Sequence, residues 1–341
     1  MSKARELAQK PNQPTGRKNL IINGAMQVAQ RGTSFTSQSG VAFHLDRWEV
    51  LAYTMGTGVY SVEQSTDAPN GFTYSNKIAC TTQDTSQDAN NQMYFQQQIE
   101  AQNMNWLKFY EANPDSVTVS FWVKSNRTGS FSATLKLSDN NSIENNSATR
   151  IYPFTYSISV ADTWEKKTEI ITLDSSTGET KPTGTNHGMS ILFWQGAGAN
   201  RDGATADAWG NNGNAGCASD NLDLLGSTNN NWYITGVQLE VGTVATEFEH
   251  LSYGEELALC QRYFYKASPT GTSSATVYGA DYGGNSFVRL EFPVTMRATP
   301  TITATYNKTV IASYNSTQSL QTYLSGNASA MTQGATADAE L

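Results

Sequence analysis

Ser116-Val117-Thr118-Val119-Ser120-Phe121-Trp122-Val123-Lys124 places Val117, Val119, Phe121 and Val123 on one face of an extended chain. A period of two over nine residues is that of a half-buried β-strand. Phe131, Ala133, Leu135 and Leu137 repeat it. Between the two runs stands Asn126-Arg127-Thr128-Gly129, a turn signal that predicts a hairpin. A third strand-like run carries Trp164, Thr168, Ile170 and Thr172, and Ser190-Ile191-Leu192-Phe193-Trp194 is a fourth. Short alternating strands, frequent turn signals and no long helical stretch predict an all-β, antiparallel sandwich.

The ends of this region complete the pattern. In Tyr233-Ile234-Thr235-Gly236-Val237-Gln238-Leu239-Glu240-Val241-Gly242, Val237, Leu239 and Val241 alternate with polar or small neighbours. This strand and the segment near Leu20 are expected to pair or lie side by side, and that closure favours a jelly roll. Around Phe95 to Tyr110 the spacing predicts a strand end running into a short helical turn. Residues 196–216, rich in Gly, Ala and Asn, form a long loop, a feature often functional inside a compact domain. The organisation expected is an N-terminal docking arm (1–18), a jelly-roll domain (19–249), a connecting helix (250–266) with Tyr253, Leu257, Leu259 and Cys260 on its apolar side, and a small C-terminal β domain (267–341). Pro293 and Pro300 bracket a stretch that cannot be an ordinary central strand. No tandem repeat of solenoid length is present.

Composition narrows the function classes. Charged residues make up 15% of 341, and 16 Tyr, 13 Phe and 7 Trp supply the apolar area for a well-packed core. The net charge is −8; residues 1–18 hold five basic groups and one acid, +4, so the remainder holds −12. So acidic a body repels a phosphate backbone, which argues against nucleic-acid binding. Three cysteines at wide spacing give neither a metal pair nor a disulfide framework and read as reduced, buried residues. The sequence has no signal-peptide pattern and no apolar run of membrane-spanning length, so no membrane insertion is expected.

No residue set stands out as catalytic. His44, His187 and His250 are isolated and fit no zinc spacing, and there is no G-x-S-x-G elbow. Asp46, Glu100, Glu240 and Glu249 are scattered, and nothing singles out the facing carboxylate pair that glycoside hydrolysis needs. The expectation is a protein that is not an enzyme.

The opening Asn19-Leu20-Ile21-Ile22-Asn23-Gly24, the stretch 233–242 and Glu255-Glu256-Leu257-Ala258-Leu259-Cys260-Gln261-Arg262-Tyr263-Phe264 together closely resemble the tail-fibre and receptor-binding virion proteins of tailed bacteriophages, especially those of aquatic bacteria. The resemblance runs from about residue 19 to the C-terminus and includes Phe292-Pro293-Val294-Thr295-Met296-Arg297-Ala298-Thr299-Pro300. Asn19–Gly24 followed by Asp46-Arg47-Trp48 is similar to the first strands of jelly-roll carbohydrate-binding modules. Such modules often hold a structural calcium with a Glu after the Asn-Gly; here Ala25, Met26 and Gln27 follow, so no metal or other cofactor is expected. The resemblance implies a homotrimeric virion protein, attached to other virion proteins by its N-terminal arm, that binds a host cell-surface glycan. The rival readings are a capsid or tail decoration protein and a glycan-degrading enzyme.

Sugars are recognised by aromatic faces stacked on pyranose C–H surfaces and by amides bonded to hydroxyls. Trp194, Trp209 and Trp232 are candidate platforms, whereas Trp48, Trp122 and Trp164 sit in strand patterns and read as core. Trp209 is singled out because its sequence neighbours offer no strand to pack on. With Asn200, Arg201, Asp202, Asp207, Asn211 and Asn212 it forms the candidate glycan-binding set on the 196–216 loop.

Overall fold

The computed structural model describes residues 17–138, 150–211, 216–218, 223–267, 281–282, 285–306, 309–325 and 332–340. The expected docking arm therefore lies outside the described residues except for Arg17 and Lys18. The chain divides into two compact units, residues 1–250 and 251–341. Among the described residues no helix is long and apolar enough to cross a membrane.

The first unit is an antiparallel jelly-roll sandwich. One sheet has six strands, in the order β1 (Ser34–Gln38), β4 (Val59–Ser65), β5 (Ser75–Thr82), β13 (Asn231–Val241), β7 (Ser116–Ser125) and β10 (Glu165–Thr172). The other has seven, in the order β12 (Gly210–Asn211), β9 (Arg150–Ile158), β8 (Gly129–Leu137), β11 (His187–Ala197), β6 (Gln92–Glu100), β3 (Glu49–Tyr53) and β2 (Val41–Phe43). The alternation in residues 116–124 is realised as expected: Val117, Val119, Phe121 and Val123 are fully buried between the sheets. They meet Phe131, Ala133, Leu135 and Leu137 of β8, with Phe193, Phe95, Trp48 and Trp232 filling the middle. Trp48 stacks on Phe95 at 4.6 Å, and Phe121 meets Phe193 edge-on at 5.0 Å.

The predicted hairpin at residues 126–129 does not form. β7 pairs with β13 and β10, while β8 pairs with β9 and β11. The turn is an arch that carries the chain from one sheet to the other, so the two apolar runs face each other across the core. Asn126 fixes it, donating from its side-chain amide to Asn229 O and accepting from Asn231 N.

Residues 17–30 form no strand, yet they close the sandwich against β13. Leu20 N donates to Leu239 O at 2.9 Å. The buried Asn19 side chain accepts from Ile21 N and Leu239 N, both at 3.0 Å, and donates to Val237 O at 3.1 Å. The Glu249 carboxylate takes the backbone N–H groups of Lys18 and Asn19. Gln97 bonds Ile22 through both its oxygen and its nitrogen. Gly24 lies so close to the bulge in β13 that a Cβ there would stand 2.2 Å from Val237 O. The paired motifs at 19–24 and 233–242 are thus two halves of one clamp. After β6 the chain makes a single 3-10 turn, Ala101–Asn103.

In the second unit the connecting helix is shorter than expected: α1 runs Tyr253–Gln261 and is capped by Ser252 and Glu255 in a reciprocal capping box. Its buried positions are Glu256 and Cys260, one turn apart, and Tyr253 is exposed. Residues 264–266, expected to end the helix, belong instead to strand β14 (Phe264–Ala267). It joins β20 (Thr332–Asp338) and β17 (Thr301–Tyr306) in a three-stranded sheet. A four-stranded sheet runs β15 (Asp281–Tyr282), β16 (Asn285–Glu291), β19 (Ser319–Ser325) and β18 (Val310–Asn315). The Pro-bracketed stretch 293–300 forms no strand, as expected. It supplies Met296 to a core with Phe292, Leu320, Ala337 and Ala339, and Arg297 donates to Ala339 O and Glu340 O.

Candidate functional site

Strand β6 faces the core with Met93, Phe95 and Ile99, so strand alternation sends Tyr94, Gln96, Gln98 and Glu100 to the outward face of the seven-stranded sheet. The register builds cross-strand rows there. Lys136, Ser190 and Gln98 form one, on β8, β11 and β6. Thr134, Leu192, Gln96 and Glu49 form the next, and Trp194, Tyr94 and Leu51 a third. An outward face normally lets its polar side chains reach water, but Gln96, Gln98, Ser190, Thr134 and Glu49 are all buried.

Most of these groups are bonded. Gln96 Nε2 donates to Glu49 Oε2 at 2.5 Å, and His187 Nε2 meets Ser190 Oγ at 2.7 Å. Trp194 Nε1 donates to Thr134 Oγ1 at 2.9 Å, and its ring lies edge-on to Tyr94 at 5.1 Å. Arg47 donates to the backbone oxygen of Gln98. His187 Nδ1 is buried without a partner, and two further groups are unmatched. The side-chain oxygen of Gln98 is buried with no donor, and Lys136 has no carboxylate partner among the described residues. Buried acceptors are nearly always satisfied, so an open one marks a place of interest.

Burial dominates the electrostatics. It pushes the Glu49 carboxyl up, against the opposing hydrogen bond from Gln96 and the nearby Arg47 charge. Tyr94 is raised by burial and by Glu49, with Arg201 opposing, which places the Arg201 charge at the Trp194–Tyr94 end of the face. His187 is lowered to about 3 by burial and by the Lys136 charge, so its imidazole is neutral. Lys136 is lowered by burial.

The 196–216 loop crosses part of this face. Gly198 N and Asn200 N donate to Asn91 O and Ala89 O, and the Asn200 side chain donates to Asn90. Asp202 accepts from Gly203 N and lines a cleft of ≈ 240 Å³ with Met55, Gln87, Asn91 and Asp223. The chain then reaches β9, where Asp207 N donates to Pro153 O. It returns across Trp194: Gly216 and Cys217 donate to Arg201 O, Gly216 O accepts from Thr134, and Ala218 N donates to Ser132 Oγ.

The expected site residues therefore fall into two groups. Asn200, Arg201 and Asp202 lie at the β6 end, and Asp207, Trp209 and Asn211 at the β9 edge, with β8 and β11 between. Asn212 lies outside the described residues. Trp209 is not a stranded aromatic. Its N–H donates to Thr172 O at 2.7 Å and its ring rests on Tyr152 at 5.5 Å, while Gly210–Asn211 pairs with β9. Asn211 accepts from Arg150. Trp232 is wholly core and Trp194 is buried, so neither offers a bare ring face.

Trp122 and Trp164, expected in the core, are half-buried outside it. Trp164 donates to Asp67 and stands 5.3 Å from the Lys124 ammonium, which also pairs with Asp67 and covers the Tyr233 ring at 4.3 Å. Those groups satisfy one another. Among the described residues, no group of three or more His, Cys, Asp or Glu is arranged to hold a metal, and Asp46 spends its carboxylate on Gln30. The three cysteines are free and buried.

No family model matches the sequence, and no curated protein matches it. Among solved structures, the chain is similar to the enzymatically active domain of bacteriophage CBA120 tailspike protein 4, at 14% identity and TM-score 0.32 over 66% of this chain and 21% of that one. A putative sugar-binding protein from Bacteroides thetaiotaomicron matches at 12% identity and TM-score 0.34, over 66% of this chain and all of that one. TmCBM61, solved with β-1,4-galactotriose, matches at 10% identity and TM-score 0.30, again over 66% of this chain and all of that one. Likenesses this distant leave the function to be read from the site's own chemistry.

Proposed function

We propose that this chain is a non-enzymatic adhesin that binds a host cell-surface glycan through the outward face of the seven-stranded sheet. The observation that carries this reading is the Lys136–Ser190–Gln98 row, where a buried amide oxygen has no donor and, among the described residues, the ammonium has no carboxylate partner, beside bonded amides. Sugar hydroxyls donate and accept at short spacing and would complete such a set. The sequence resemblance to phage fibre proteins supports a place on a virion, with residues 1–18 as the attachment and residues 250–341 as the main contact of a homotrimer. Several copies on one particle raise weak single-site binding through avidity. The test is adsorption of the labelled full chain to host bacteria before and after mild periodate oxidation of the surface glycans. Adsorption that oxidation abolishes is the expected result; adsorption that survives it, or none to untreated cells, refutes the proposal.

A further inference from the structure

Lys136, half-buried on the outward face, differs from two other cations of the sandwich. Lys124 pairs with Asp67 and Arg150 with Asp174, each pair within direct contact. Lys136 lies in a body that carries −12 outside residues 1–18, yet it has no ion pair among the described residues. Lys136 is half-buried, and an ammonium held on a partly dry face without a counter-charge is favoured by an anionic partner. Two acids on the same face are engaged elsewhere: Glu49 holds Gln96, and Glu100 accepts from Gln102. Both sit on the β3–β6 side, whereas Lys136 is on β8, two strands from β6.

Lys136, Ser190 and Gln98 occupy directly opposed positions on three neighbouring strands. Strands lie about 4.8 Å apart, so the row spans about 10 Å from the ammonium strand to the open amide acceptor, the length of a disaccharide. Beside it His187 is neutral and bonded to Ser190, so it neither competes for an anion nor repels a hydroxyl.

We infer that the ligand of this face is a glycan bearing a single anionic group, a carboxylate or a sulfate, seated on Lys136 while a neighbouring hydroxyl donates to Gln98 Oε1. This rests on the glycan-binding reading above. Burial lowers Lys136 from the usual lysine value with no charge acting against it, and an anionic partner favours its protonated form. A densely charged polymer is disfavoured by the −12 of the body, so the anion is one substituent on an otherwise neutral chain.

The experiment uses the full-length chain on an array of matched oligosaccharides, each backbone present as a uronate, its methyl ester and a sulfated equivalent. The wild type is expected to bind at least one anionic form about tenfold or more tighter than the matching ester, the effect of one hydrogen bond to a charged group. Which anion binds tighter identifies the source of the charge. The Lys136→Gln variant is expected to lose that preference while keeping ester binding, and Lys136→Arg to retain it. Esters binding as well as the anions, or Lys136→Gln keeping the preference, overturns the inference and leaves the glycan reading standing. Failure of every oligosaccharide to bind overturns both. A melting curve of each variant excludes loss of folding as the cause.

Discussion

Replacing Asn19 with alanine tests whether the paired motifs are a structural clamp. The side chain is 4% exposed. Its removal strands two backbone donors, Ile21 N and Leu239 N, and one acceptor, Val237 O. A buried group left unsatisfied costs about 1–3 kcal/mol, and the three share one site, so their costs do not simply add. The Leu20–Leu239 bond stays in place and limits the damage. The net expectation is about 4 kcal/mol. In a unit of this size that lowers Tm by about 8–16 °C, at about 2–4 °C per kcal/mol. The assay is thermal unfolding of the full chain followed by near-UV circular dichroism. Asn90→Ala, at an exposed asparagine, serves as the control and should cost less than about 1 kcal/mol. An Asn19→Ala Tm within about 2 °C of wild type would refute the clamp.

Gly24→Ala should destabilise by about 1–3 kcal/mol in chemical unfolding, because its Cβ would meet Val237 O at 2.2 Å and backbone must move. Trp209→Ala should lower stability by about 3 kcal/mol through loss of the Tyr152 contact and the Thr172 bond, while glycan binding stays within twofold; a selective loss of binding would restore Trp209 as a platform. His44 is held near 4 by burial and Arg31, below its ordinary 6.5, so the unfolded chain takes up its proton first. That contribution is full above pH 6.5 and is lost as pH falls to about 4. Asp46 and Glu49, raised by burial, act in the opposite direction, so the decisive readout is the variant. Stability of His44→Gln, measured by denaturant titration, should change less with pH between 6.5 and 4 than that of wild type.

The parts of the fold legible in the sequence were those governed by alternation. Val117 to Val123 had to face a core, and Pro293 and Pro300 had to break a strand. The turn at 126–129 was legible as a turn but not as an arch, because turn residues do not say whether flanking strands pair or stack across a sandwich. Helix α1 was placed, but its inward side was misread, since Glu256 is buried beside Cys260 against the rule for charged residues. Trp209 looked stranded because its partners, Tyr152 and Thr172, are distant in sequence. The Lys136–Ser190–Gln98 row was invisible for a plainer reason. Lysine, serine and glutamine on an outward face are ordinary; only the burial of Ser190 and Gln98, and the open oxygen of Gln98, sets them apart.

Gln98→Met isolates that row from the rest of the protein. Methionine keeps the volume and removes the unmatched acceptor, so the variant should melt at or slightly above the wild-type temperature. The direct measurement is glycan affinity of wild type and Gln98→Met, by titration calorimetry against the tightest oligosaccharide on the array. A loss of about tenfold or more without loss of Tm is the result predicted for a binding face; equal affinity in the two proteins would contradict it.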